Sequence, residues 1–359
     1  MLFPFFAAAL LFSTWGALAA PTQPHSQLSR RSGIALPPGY SHIIFQDDFS
    51  LLPPGSQPSP SKWIIATGTS YPNGPANWGT NEIQTYTKAL SNINITSSGT
   101  LLITPLRVSG SGSGSGNVLD SSSSTSSSSS SAAAAAAAAP DNGKDNWTSA
   151  RIETVADHIA CPPGGKLLMS ASLKFGSAPS PSQMGIWPSF WALGSEFRRS
   201  GKFDQWPAAG EIDIAESTNG SPDVWQSLHC GTAPGGPCNE FSGLSTATSL
   251  ETLRDGRTFH VFGAEIDRTN AGGDWKGEKL TYLVDGKPMV VLTGTEIGDE
   301  KAWTAVTRSP KYLILNVAVG GDFPNNVANL MGEKTPNGKT VGGVEAGLEV
   351  EWVAAYSSA

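Results

Sequence analysis

The sequence predicts an all-β protein, a sandwich or barrel, on three observations. Short runs rich in β-branched and aromatic residues recur along the chain, each bounded by Gly, Pro, Asn, Asp or Ser. No long amphipathic helical pattern interrupts them. Glycine and proline are abundant (40 and 26), charge is sparse and 11 tryptophans supply aromatic surface, the balance of a turn-rich β protein. A length of 359 residues holds one large β domain or two smaller ones. The net charge of −7, with no basic cluster, argues against a nucleic-acid partner.

Taken in order, Met1 to about Ala20 is an apolar run with Ala17, Leu18 and Ala19 near its end, and it reads as a secretory signal peptide that lacks a basic n-region. It is short for a membrane span and no stop-transfer basic flank follows at once, so an anchor is the second reading. Residues 21–38 read as a disordered leader or propeptide, with Arg30-Arg31 either a dibasic processing site or two surface arginines. The predicted strands are Ile43–Gln46, Ile83–Thr87, Ile93–Thr96, Leu101–Leu106, Ser149–Val155, Leu167–Phe175, Ile186–Leu193, Glu211–Glu216, Trp225–His229, Phe259–Asp267, Leu280–Val284, Tyr312–Val319 and Leu348–Tyr356. Residues 109–145 break the series: alternating Ser-Gly, a Ser run, Ala132–Ala139 and Pro140, a composition that buries no core. The Ala run is marginal as a helix by itself. A linker between domains is one reading. A disordered loop insertion within a single domain, residues 39–359, is preferred, because the segment before it is too small to fold alone.

Export fits the cysteines. Cys230 and Cys238 flank the Gly/Pro-rich stretch 231–237 and are expected to form a short-loop disulfide, leaving Cys161 as a buried or free thiol. No CxxC or His/Cys cluster suggests zinc, and no metal ligand is assigned. Asn94-Ile95-Thr96 and Asn146-Trp147-Thr148 are glycosylation sequons usable after export. Asn219-Gly220-Ser221 is followed by Pro222 and is a poor one.

The chemistry concentrates in Gly210-Glu211-Ile212-Asp213-Ile214-Ala215-Glu216. As a strand, period-2 alternation places Glu211 and Asp213 on one face and Ile212 and Ile214 on the other. Regular continuation would send Glu216 into the core. One extra residue, a β-bulge at Ala215, returns it to the acid face. Like charges so close cost stability, so the row marks a site. Hydrolysis at a sugar acetal needs two carboxyl groups on opposite sides of the scissile bond, one protonating the leaving oxygen and the other attacking or activating water. Glu211 and Glu216 stand roughly 13 Å apart along the backbone at about 3.3 Å per residue, a gap their side chains can largely close. A carboxyl separation of about 5 Å implies retention, and about 6.5–9.5 Å inversion. Asp213 between them is placed to hydrogen-bond Glu211 and, as a like charge, to keep Glu216 protonated. The alternative is a half-buried strand whose acids face water.

Those seven residues resemble the active-site strand of glycoside hydrolase family 16 in its bulged, laminarinase-type form, Glu-x-Asp-x-x-Glu. The resemblance continues in order through Gln46-Asp47-Asp48-Phe49, Asn77-Trp78-Gly79-Thr80-Asn81-Glu82-Ile83-Gln84-Thr85-Tyr86, Trp147-Thr148-Ser149-Ala150-Arg151 and Gly185-Ile186-Trp187-Pro188-Ser189-Phe190-Trp191. Ser227-Leu228-His229, Val284-Asp285-Gly286, Leu315-Asn316-Val317-Ala318-Val319-Gly320-Gly321 and Glu351-Trp352-Val353-Ala354-Ala355-Tyr356 complete it. It covers roughly residues 40–359 apart from the insertion, and the family runs the strands on either side of that insertion within one domain.

The resemblance implies a β-jelly-roll (concanavalin A-like) sandwich with a concave cleft for a glucan chain. It implies Glu211 as nucleophile, Glu216 as general acid/base and Asp213 as helper. The longer motif favours laminarinase-like β-1,3-glucan hydrolysis, with mixed β-1,3-1,4-glucan as a further substrate, in a secreted monomer that needs no cofactor. Sugars stack their apolar faces on aromatic rings, which singles out Trp206. Trp187 and Trp191 share one strand face and either line the cleft or bury in the sandwich. His229, Arg151 and Asn77 match family positions near the substrate; Arg151 and Asn77 are alternatively a surface salt bridge and a turn cap. His42, His158 and His260 carry no functional expectation. The family's structural Ca²⁺ stays unassigned, with Asp48 and Glu351 as candidates, because two acids are thin for an ion that takes six or more oxygens. A wall transglycosylase and a non-catalytic β-glucan-binding protein are the alternative functions.

Overall fold

Residues 34–108, 146–269, 272–329 and 335–359 are described by a computed structural model. The apolar leader, Arg30-Arg31 and the insertion 109–145 lie outside those residues. Two antiparallel sheets dominate. One runs Leu244–Ser249, Asp223–His229, Glu211–Glu216, Ile186–Gly194, Lys311–Val319, Arg151–Thr154, Trp63–Ala66. The other runs Lys287–Thr293, Lys279–Val284, His260–Asp267, Lys166–Phe175, Leu348–Ser357, Leu101–Ile103, Ile93–Ile95, with His42–Asp47 also paired to Leu348–Ser357.

Period-2 patterning builds the core between them. Leu167, Met169, Ala171, Leu173 and Phe175 from one sheet join Phe190, Ile212, Ile214, Leu228, Leu313, Leu315 and Val317 from the other in a single buried cluster. On the far side of the Lys311–Val319 strand, Tyr312 and Ile314 join Leu193 and Phe197 in a smaller cluster under the Ser195–Ser200 helix. This is the β-sandwich that alternation and turn density predict.

The differences in detail have physical causes. Trp63–Ala66, Leu244–Ser249 and Lys287–Thr293 are strands outside those expected, and all three are sheet edges. Leu244–Ser249 alternates between half-buried and exposed with Ser and Thr on both faces, so it lacks the apolar stripe that betrays an inner strand. The strand expected over Leu101–Leu106 divides at Thr104-Pro105, where proline cannot donate to a ladder. Its second part pairs in a three-stranded sheet with Asn146–Ser149, which pairs in parallel with Gln84–Tyr86. The Ser149–Val155 expectation likewise divides at Ala150, with Asn146–Ser149 in the small sheet and Arg151–Thr154 in the large one.

Helices are short. Glu300–Thr307 starts at Asp299, whose carboxylate accepts the Ala302 N–H (2.9 Å), and it buries Trp303 and Val306. Cys230 and Cys238 form the expected disulfide, and Cys161 is free and buried. Asn219 is buried, its side chain bonded to the Gly185 N–H and the Pro324 carbonyl, which closes that sequon to glycosylation. Among the described residues no helix is long and apolar enough to cross a membrane.

Candidate active site

The Glu211–Glu216 strand lies between Ile186–Gly194 and Asp223–His229. Glu211 pairs with Leu193 and His229, Asp213 with Trp191 and Ser227, and Glu216 with Ser189 and Trp225. Between Asp213 and Glu216 two residues, Ile214 and Ala215, fall opposite the single residue Gln226. The expected bulge therefore exists, but it spans Ile214–Ala215 rather than Ala215 alone, and against the Ile186–Gly194 strand Ile214 is the residue without a partner. Gln226 Nε2 donates to the Ile214 carbonyl (2.9 Å), which satisfies a group the bulge would otherwise strand. Ile214 and Ala215 both enter the core, and Glu216 returns to the outer face. There Trp187 Nε1 (2.8 Å) and Ser189 Oγ (3.1 Å) donate to its carboxyl.

Gly210 opens the strand at φ 76°, and a Cβ there would lie 2.9 Å from the backbone of Ala305. Only glycine lets the acid strand start directly against the Glu300–Thr307 helix.

Both glutamates sit where their charge is disfavoured. Burial, then the Asp213 charge, push Glu211 up to about 8, while His229 and a hydrogen bond from Trp206 pull it down. Burial and Asp213 drive Glu216 well above its ordinary value, against the Trp187 bond. Burial disfavours a charge on His229, but its bonds to Asp213 and Glu240 prevail and raise it to about 11. Nε2 of His229 lies 3.3 Å from Asp213 and Nδ1 2.7 Å from Glu240. Asp213 thus pairs with His229.

Aromatic rings stand at both ends of the row. At the Glu211 end, Trp206 packs against His229 (5.5 Å between centroids) and stacks on Phe241 (6.0 Å, 15° between planes), whose side chain is 68% exposed. At the Glu216 end, Phe323 from the Asp322–Asn329 helix meets Trp187 and Trp225 edge-on, each at 5.4 Å. Trp191 sits over the middle and donates Nε1 to Asn316 (2.8 Å). Trp187 and Trp191 therefore both belong to the outer, acid-bearing face.

Arg151 is buried in this face rather than on the surface. Its guanidinium lies over Trp78 (4.6 Å) and Trp191 (4.8 Å), pairs with Glu153 (3.0 Å) and donates to the Tyr71 hydroxyl (2.7 Å). It holds two indoles in place. Asn77 is exposed on a turn, with φ 51°, beside Trp78. Trp78, Trp225, Phe241, Phe323, Tyr71 and Glu240 belong to the site although the sequence singles none of them out. Trp225 alone had a local signal, since it shares the 225, 227, 229 face with His229. Phe241, Phe323 and Glu240 arrive on loops or a short helix, where no periodicity marks them.

For a metal, Glu211, Asp213 and His229 place ligand atoms within 4.8 Å of one another. Both nitrogens of His229 already face carboxylates, so the group is a proton network and not an ion cage. Asp48 accepts from the Ser50 N–H and hydroxyl, and Glu351 accepts from Ser172. No step is derived through a metal at either residue.

Residues 174–282, which contain the whole acid row, match the model of the XgeA-like catalytic GH16 domain. The structure of an endo-1,3-β-glucanase from Streptomyces sioyaensis superposes with a TM-score of 0.73 at 34% identity, over 91% of this chain and 99% of that one. The chain belongs to glycoside hydrolase family 16. This family 16 hydrolase is also 26% identical to glucan endo-1,3-β-glucosidase A1 of Niallia circulans over 88% of its own length, and spans 38% of that relative's. It is 28% identical to a β-glucanase of Rhodothermus marinus over 78% of its length and 76% of that relative's. Membership establishes the jelly-roll sandwich and the glycoside hydrolase class.

Proposed function

We propose that this hydrolase cuts β-1,3-glucan internally with retention of configuration. The observation that carries the chemistry is the bulged row, which sets three acids on one face with His229 opposite Glu211 and with Trp187 and Ser189 donating to Glu216. Glu216 gives that proton to the glycosidic oxygen as the C1–O bond breaks, and the Glu211 carboxylate bonds to C1 from the opposite side. Water then attacks C1, losing a proton to Glu216 and releasing Glu211. Asp213, tied to His229, keeps negative charge between the two glutamates and so favours a protonated Glu216. Trp206, Phe241, Trp187, Trp225 and Phe323 offer ring faces to sugars, with Trp191 over the centre. The names of the relatives above support β-1,3-glucan as substrate. The apolar leader in the sequence and the Cys230–Cys238 pair support a secreted enzyme.

Laminarin, barley β-glucan and agarose test the substrate. The expected result is rapid release of reducing ends from laminarin, with the β-anomer formed first by NMR; an initial α-anomer excludes retention. Glu211→Gln and Glu216→Gln are each expected to lower kcat by about 10³-fold or more. Products longer than the starting oligosaccharide at high concentration would instead favour transfer to sugar over transfer to water.

A further inference from the structure

Glu240 lies outside the acid row, two residues beyond Cys238, yet its side chain is fully buried. One carboxylate oxygen accepts the Cys230 N–H (2.7 Å) and the other lies 2.7 Å from Nδ1 of His229. The opposite ring nitrogen, Nε2, lies 3.3 Å from Asp213. An imidazole suspended between two carboxylates donates from both nitrogens and is a cation. Trp206 covers one side of the ring, and Gly243 (φ 70°) closes another, since a Cβ there would lie 2.7 Å from Cε1. The charged and titratable groups facing His229 are Glu211 and Asp213 on the neighbouring strand, Glu240 on the loop, and Glu216 further along the row. The Tyr282 hydroxyl, from the other sheet, donates to the Ser227 carbonyl nearby.

The register places this cation asymmetrically: His229 stands opposite Glu211, whereas Glu216 stands opposite Trp225. We propose that Glu240 is a positioning residue that keeps His229 doubly protonated and thereby assigns the row's mobile proton to Glu216 instead of Glu211. The inference rests on the hydrolytic reading above and adds the device that separates the two glutamates. Burial and Asp213 push both of them in the same direction, so a symmetric row would share the proton between them. The His229 cation pulls on both glutamates, but at Glu211 it is the foremost pull and at Glu216 it comes behind the Trp187 bond, so its place opposite Glu211 breaks that symmetry. Its pull on Glu211 exceeds the opposite push of the more distant Glu240 charge. The disulfide holds the Glu240 segment against the end of the His229 strand, so the cation is fixed in place before substrate arrives.

The test is Glu240→Gln, which keeps the size and removes the charge. With ¹⁵N-labelled histidine, and His229 assigned by its loss in His229→Gln, NMR should show the His229 titration falling by about one to two pH units, the scale of a charge-assisted hydrogen bond. On laminarin the variant should match the parent at acid pH, where His229 is charged in both, and lose about tenfold or more in kcat/KM on the alkaline side with KM little changed. In a His229→Gln background the Glu240 substitution should have no further effect. Glu240→Asp, which keeps the charge with shorter reach, should restore part of the alkaline limb, and it serves as the probe if Glu240→Gln does not fold. A folded Glu240→Gln with an unshifted His229 titration, or with kcat/KM lowered equally at every pH, overturns the proposal. The NMR arm needs no turnover, so it reads the device even where laminarin proves not to be the substrate.

Discussion

Gly243 shows how much of the site depends on a single missing atom. It has no role in substrate chemistry, yet a Cβ at that position would displace the imidazole of His229 and strain a backbone at φ 70°. Gly243→Ala should therefore lower kcat by about 10-fold or more through His229, with a destabilisation of about 1–2 kcal/mol in a denaturant melt. Lys311 gives the opposite case, a buried charge with no site around it. Its Nζ donates to the Ala305 and Ser309 carbonyls, both at 3.0 Å, and burial lowers it to about 7. The folded value lies below the unfolded one, about 10.4. The stability tied to the neutral amine is complete above about pH 10.4 and is lost as pH falls through 7. Lys311→Met should thus raise Tm most near pH 6 and least near pH 10, measured by scanning calorimetry. At this scale the three acids were legible because a parity conflict marks them in one short strand. Glu240 was not, because nothing local distinguishes a loop glutamate that turns inward from one that faces water.

At the scale of elements the bulge is the decisive feature. It converts a strand that would turn Glu216 into the core into one that returns it to the acid-bearing face, and it does so with two small or apolar residues that the core accepts. Deleting Ala215 restores strict alternation and leaves all three acids on one face, but moves the last glutamate one position relative to Trp187 and Ser189. The expected outcome is a folded protein with kcat reduced about 100-fold, since shifts of an ångström carry that cost; circular dichroism and laminarin turnover check it. The disulfide loop is the second element. Closing a loop of sequence separation 8 removes chain entropy worth about 2–3 kcal/mol. The double replacement of Cys230 and Cys238 by alanine should lower stability by that amount in a urea melt and weaken the hold on Glu240. Inner strands were readable from alternation, and Lys166–Phe175 and Lys311–Val319 match their expected extents to within a residue. The edges were not. A strand paired on one side and wet on one face needs no apolar stripe, and Leu244–Ser249 carries none.

For the whole molecule the question is how residues 109–145 are accommodated. Val108 and Asn146 are register partners in an antiparallel pair, so the chain leaves and re-enters the small sheet at neighbouring points. That geometry supports a loop insertion over a linker between domains. Replacing 109–145 by a short Gly-containing turn should preserve laminarin activity and raise stability by about 2 kcal/mol, the closure entropy of the longer loop. A loss of activity on excision, with the fold intact by circular dichroism, would mean that the insertion takes part in catalysis or binding.

The same pairing has a consequence for connectivity. His42 and Ser357 are also register partners, and the Ser41 N–H bonds the Ser357 carbonyl (2.9 Å), so the sandwich's first and last strands run side by side. Traced along the backbone, the sandwich is close to a closed circuit with two adjacent crossings, one between residues 42 and 357 and the other between 108 and 146. A short peptide could seal the first while the second is opened, giving a permuted enzyme whose new ends lie far along the chain from the acid row. Such a rearrangement turns the segment most foreign to the fold into a port through which cargo, a surface anchor or a second catalytic module could be attached.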